Sequence, residues 1–115
     1  FHTRYMAPAV ETLEAYSNSI TVADPALKLW SNNGGREIAS GTEFVSLLVS
    51  QVKSPVRWDL CMEAMVSAGV TALIELSPAG TLAGLAKRGM PGVETLALKT
   101  PDQIDAALEL AKNHG

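Results

Sequence analysis

Residues 70–76, VTALIEL, form a nearly continuous apolar run, with Glu75 its charged exception. A run of this length, without polar alternation, is the signature of a strand covered on both faces. It is followed by SPAGTLAGLAKRG, which reads as a turn and a short helix closed by Gly89. VETLALK (93–99) then reads as another strand. A strand, a helix and a strand in immediate succession require a crossover, which antiparallel neighbours do not need. The chain is therefore expected to build a parallel α/β sheet.

The other segments extend that pattern. From Ala7 to about Ile20, Val10, Leu13 and Ile20 fall near one helical face, and Pro8 stands in the first turn, where its missing N–H costs little. LKLWSNN, with Leu27 and Leu29 alternating against Lys28 and Trp30, predicts a short strand ending in the loop NNGG. Ser40-Gly41-Thr42-Glu43 has the capping-box pattern and opens a helix running to about Lys53. After Pro55 a further helix places Trp58, Met62, Met65 and Val66 on one face, where methionine serves as adaptable core filler. Thr100-Pro101-Asp102-Gln103 is a second capping-box pattern, and the helix after it repeats Ile104, Ala107, Leu108 and Ala111 on one face. The expected architecture is α/β, with three short strands and helices on both faces of the sheet. At least one edge of so narrow a sheet is bare unless another segment pairs with it.

At 115 residues the chain has the length of one compact domain, and its 47% hydrophobic content argues for a packed core. Aromatics are only 5%, so that core must come from Ala, Val, Leu, Ile and Met. A net charge of −3, with Lys87-Arg88 the one adjacent basic pair, carries no footprint for nucleic acid. No apolar run approaches the ~20 residues of a membrane span. One cysteine, Cys61, excludes an internal disulfide and suits a reducing, cytoplasmic setting. It lies in an apolar helical stretch and reads as a buried structural residue. Two histidines and one cysteine are too few for an ordinary zinc site.

Catalytic constellations are incomplete. There is no Gly-x-Ser-x-Gly elbow and no Gly-rich phosphate loop of either common type. Glu11 and Glu14 lie on a solvated helix face, and His114 reads as a dipole partner in a terminal helical turn. One residue is out of place. On the helix from residue 41, Phe44, Leu47, Leu48 and Gln51 stand at i, i+3, i+4 and i+7, so an amide lies on the core-facing stripe. Either Gln51 frays into water near the helix end, or it sits beside a buried polar site.

Three stretches, taken together, resemble a known family. They are FHT with Met6 and PAVETL at the start, SLLVSQVKSPVRW in the middle, and IELSPAGTLAGLAKR later. In this order and spacing they resemble the malonyl-CoA:acyl carrier protein transacylases, whose last stretch has the form Glu-x-Gly-Pro-Gly-x-x-Leu-x-Gly-Leu-x-Lys-Arg. The departure here is SPAG, which replaces two glycines of that turn.

The resemblance implies a Ser-His dyad in a transferase of fatty-acid biosynthesis. His2 matches the histidine that takes the proton of a serine nucleophile. Gln51 matches the residue whose main-chain carbonyl orients the imidazole, in place of the carboxylate of a triad. Malonyl passes from malonyl-CoA to the serine and then to the phosphopantetheine thiol of acyl carrier protein, a ping-pong pattern. Phe1, directly before the histidine, resembles the malonyl-type motif of related polyketide acyltransferases, where its ring leaves little room for an α-methyl branch; a plain packing aromatic is the other reading. No cofactor is implied beyond the coenzyme A thioester substrate. The resemblance also implies a hydrolase-like acyltransferase subdomain of which residues 1–115 are the C-terminal part. The serine, the arginine that pairs with malonate, the oxyanion amides and a ferredoxin-like subdomain are then expected upstream of Phe1, as the third partner beside malonyl-CoA and acyl carrier protein. Without them the 115 residues are expected to be inactive. Two other readings stand beside this one: a free-standing α/β binding domain without catalysis, and an acyltransferase domain of a polyketide synthase.

Overall fold

A computed structural model describes residues 1–115, which divide into two compact units, Phe1–Cys61 and Met62–Gly115.

In the first unit a 3₁₀ turn, Arg4–Met6, leads into α1, Ala7–Ser17, which packs against α2, Gly41–Gln51. Helix α1 stops short of Ile20 because two hydroxyls take its last carbonyls. Ser17 Oγ donates to the Glu14 oxygen at 2.8 Å and Ser19 Oγ to the Tyr16 oxygen at 2.7 Å. Ser40 caps α2 by accepting from the Glu43 amide at 3.3 Å. The reciprocal half of that capping box is not made, because the Glu43 carboxylate pairs with Arg36 at 2.6 Å. Instead Asp24 Oδ1 accepts from the Gly41 amide at 2.9 Å, and a Cβ at Gly41 would collide with the Ala23 carbonyl. Val10, Ile38, Val49 and Cys61 form the buried apolar set.

The strand expected over 27–30 is not present. Trp30 and Glu37 make a single antiparallel bridge around the Asn32–Gly35 loop, with bonds from Ser31 N to Arg36 O at 3.0 Å and from Ile38 N to Leu29 O at 2.8 Å. Leu27 is 85% exposed, so the apolar alternation that suggested a strand has no sheet to face. A lone hairpin of this size has too few rungs to persist as a ladder.

Helix α3, Trp58–Ser67, carries the chain into the second unit. There β1, Ala72–Leu76, α4, Thr81–Gly89, and β2, Glu94–Leu98, form a βαβ unit. The strands pair in parallel, from Ala72 opposite Glu94 to Leu76 opposite Leu98. The sheet thus has two strands rather than three. Gly89 is the last residue of α4, not the left-handed residue beyond it; the positive φ, +87°, belongs to Gly92, and a Cβ at Gly89 would meet the Met62 side chain.

A 3₁₀ turn, Pro101–Gln103, precedes α5, Ile104–His114. Gln103 Oε1 accepts from the Lys99 and Thr100 amides at 2.8 and 3.2 Å, making the reach-back half of the capping box. The buried residues of α5 are Ala107 and Leu110, while Ile104 and Leu108 are exposed. The helix is therefore rotated relative to the face expected from its sequence, with the turn of Ala107 and Leu110 against the strands. His114 does more than meet a helix dipole: its ring bonds Thr71 Oγ1 at 3.0 Å and Glu94 Oε2 at 3.2 Å, tying the last turn of α5 to the starts of both strands.

Candidate active site

The site begins with the end of α2. The last carbonyls of an α-helix have no intrahelical partner and point outward along the axis. Here two consecutive carbonyls, of Gln51 and Val52, receive one residue. His2 N donates to Val52 O at 2.8 Å, and His2 Nδ1 lies 2.8 Å from Gln51 O. A carbonyl oxygen can only accept, so Nδ1 carries the hydrogen and Nε2 is left as the basic nitrogen. His2 has φ +61°, a left-handed conformation that side-chain-bearing residues rarely adopt. The two carbonyls hold it there.

Gln51 itself is buried, at 8% exposure. Its Nε2 donates to the carbonyls of Ser54 and Pro55, each at 2.9 Å, and its Oε1 is buried without a partner in the chain. Of the two readings open from the sequence, the structure has the buried one. Ser54 N returns to Gln51 O at 3.1 Å and Ser54 Oγ to Ser50 O at 2.8 Å, so the turn after α2 is bonded at several points. Phe1, adjacent to His2, is 86% exposed. His2 and Gln51 are brought together; Phe1 is left exposed beside them.

Two features of this arrangement escape sequence reasoning. One is the Val52 carbonyl, since every residue type supplies the same main-chain oxygen. The other is the amide bonded to both Ser54 and Pro55; the Gln-x-x-Ser-Pro order at a helix end is its one visible trace.

Other polar residues singled out by the sequence lie elsewhere. The Cys61 thiol is buried, 3.4 Å from both Ser31 O and Asn32 Oδ1, and burial, followed by the nearby Asp59 charge, pushes its pKa up. Such a thiol is a poor nucleophile. The Glu75 carboxylate accepts from the amides of Gly80 (2.7 Å), Leu82 (2.9 Å) and Ala83 (2.9 Å), closing the N-terminus of α4. The bond from Ala83, helped by those from Gly80 and Leu82 and by the charge of Lys99, holds its carboxyl below the usual range against desolvation. Gly80, at φ +129°, sits within this turn and gives its amide to Glu75 from a backbone conformation that favours glycine. No group of three or more His, Cys, Asp or Glu is placed to hold a metal ion, and no helix is long and apolar enough to cross a membrane.

No protein-family model matches the chain. Among curated proteins, it is 44% identical over 110 residues to the malonyl CoA-acyl carrier protein transacylase of Mycobacterium bovis, an alignment covering 96% of this chain and 36% of that protein. The crystal structure of MCAT from Mycobacterium tuberculosis superposes with a TM-score of 0.86 at 44% identity, covering 92% of this chain and 35% of the other. An acyl-carrier-protein-S-malonyltransferase from Bartonella henselae superposes with a TM-score of 0.87 at 30% identity, covering 97% and 36%. The chain spans about a third of the length of the curated relatives it matches. By sequence and by fold it is a homologue of the malonyl CoA-acyl carrier protein transacylases, matching about a third of their length.

Proposed function

We propose that this chain is the C-terminal part of a malonyl-CoA:acyl carrier protein transacylase and supplies its general base. The observation that carries the reading is the bond from His2 Nδ1 to the Gln51 carbonyl, which leaves Nε2 free to take a proton. In the first half-reaction Nε2 takes the hydrogen of a serine hydroxyl supplied upstream, and the serine oxygen attacks the malonyl thioester. The tetrahedral intermediate collapses as the imidazolium protonates the departing coenzyme A sulfur. In the second half-reaction Nε2 takes the proton of the carrier protein's phosphopantetheine thiol, the sulfur attacks the serine ester, and the serine oxygen regains a proton. Both halves return the ring to its neutral state, the pattern of nucleophilic catalysis through one covalent intermediate.

A neutral carbonyl suffices to set the tautomer, although it stabilises imidazolium less than a carboxylate would. The serine, the arginine for the malonyl carboxylate and the oxyanion amides belong to an upstream portion of the same enzyme, so residues 1–115 alone are inactive. Phe1 lies beside the base and is assigned to the malonyl subsite. The reaction takes place in the cytoplasm, a setting that one buried cysteine fits.

The test is malonyl transfer by the longer protein carrying this chain. His2→Ala is expected to lower the rate on the order of 10²-fold or more. A variant that transfers malonyl as fast as the parent would end the proposal.

A further inference from the structure

From the bonds around residues 50–55 we infer that the Gln51 side chain is a positioning residue for His2, acting through its own main-chain carbonyl. The inference rests on the reading of His2 as general base and concerns what keeps that base in its working tautomer.

The helix end explains the need. Beyond Gln51 the α-helical ladder stops, and the carbonyls of Gln51, Val52, Ser54 and Pro55 would all seek donors from water. If this turn frayed, the Gln51 oxygen would move, and with it the one atom that tells Nδ1 from Nε2. The Gln51 amide prevents this by using both of its hydrogens on the turn, one on Ser54 O and one on Pro55 O, at 2.9 Å each. The same residue thus has its side chain tied to the turn and its carbonyl facing the His2 ring at 2.8 Å. The Val52 carbonyl, held in the same turn, fixes the His2 amide at 2.8 Å and keeps the residue at φ +61°. Burial of the amide strengthens the tie, since no water competes for those hydrogens.

A residue at 51 that supplies only the carbonyl would hold that oxygen less firmly and so weaken the preference for the proton on Nδ1. Leucine has nearly the volume of glutamine but no donors, so Gln51→Leu isolates this effect. Nitrogen-15 shifts of the His2 ring, recorded in the purified longer protein carrying this chain at a pH where the ring is neutral, read the tautomer directly. In the parent, neutral His2 is expected almost wholly as Nδ1–H, and the Gln51 amide hydrogens are expected to exchange slowly. In Gln51→Leu the ratio of Nδ1–H to Nε2–H is expected to fall by up to about tenfold, what one hydrogen bond's net preference supports.

Three results would overturn the inference. They are a parent His2 mainly in the Nε2–H form, Gln51 amide hydrogens exchanging like those of a free side chain, and a folded Gln51→Leu protein with an unchanged ratio. The first two need no variant, so a Gln51→Leu protein that fails to fold leaves the matter decided by the parent. Malonyl transfer by the longer protein is measured separately. Absent transfer with the expected tautomer shift removes the reaction, whereas normal transfer with no shift removes only the role of the amide.

Discussion

His2 has a backbone conformation that side chains resist. The left-handed region costs a residue with a Cβ about 1–2 kcal/mol, and the two bonds to Gln51 and Val52, at about 1 kcal/mol net each, offset it. The histidine is thus held by the same contacts that orient it, and nothing in the letters FHT shows a positive φ. The pairing of residues 2 and 51 was legible only through the order of three motifs, because a main-chain acceptor has no residue-type signature. Phe1 tests the neighbouring subsite. Its ring is free of packing within the chain, so Phe1→Ala should act on specificity rather than stability. In the longer protein it is expected to narrow the preference for malonyl over α-methylmalonyl thioester by about tenfold, within the ~1–3 kcal/mol that one methyl is worth. A competition assay between the two thioesters reads the ratio; an unchanged ratio would leave Phe1 without a part in selection.

At the scale of elements, the junction of β1 and α4 depends on one carboxylate. Glu75 closes three amides of the α4 N-terminus, where negative charge is favoured, and those bonds lower its pKa from the ordinary 4.5. A carboxyl whose pKa is depressed by folding contributes stability that is present above its unfolded value and disappears as pH falls through the folded one. The second unit is therefore expected to lose stability progressively as pH drops below 4.5. Glu75→Gln, with one accepting oxygen and no charge, is expected to be less stable at neutral pH and to show a flatter acid dependence. Denaturant midpoints at pH 7 and in acid compare the two, and matching curves would refute the role. The strands β1 and β2 and all five helices were legible because apolar runs and helical periodicity are local properties. The strand over 27–30 was not, because a strand exists only with a partner, and only the rung at Trp30 and Glu37 finds one. The rotation of α5 has the same origin: periodicity offers two adjacent faces, and the sheet chooses between them. Glu43 likewise had two partners in reach, and the charge of Arg36 prevailed over the amide of Ser40.

For the molecule as a whole, the parallel pair is the feature that bears most on behaviour in solution. Parallel sheets are ordinarily covered on both faces, and an edge strand presents unpaired main-chain groups to any further chain. Two strands leave two bare edges, and Leu76 at 69% and Leu108 at 63% exposure stand in the same unit. The 115-residue chain by itself is expected to bind an apolar dye such as ANS and to sediment as a concentration-dependent mixture. A dye-silent monomer that melts in one cooperative step would instead favour a free-standing binding domain. The class of fold was legible here while the exposure of Leu76 and Leu108 was not, since composition counts apolar residues but cannot say which of them are covered. The acceptor that orients His2 has a last consequence, for heredity: each of the twenty encoded residues brings an identical oxygen to position 51. Missense variation can loosen that oxygen's surroundings but can never delete it. Only total or semi-synthesis, with an ester in place of the amide between residues 51 and 52, would weaken the acceptor itself.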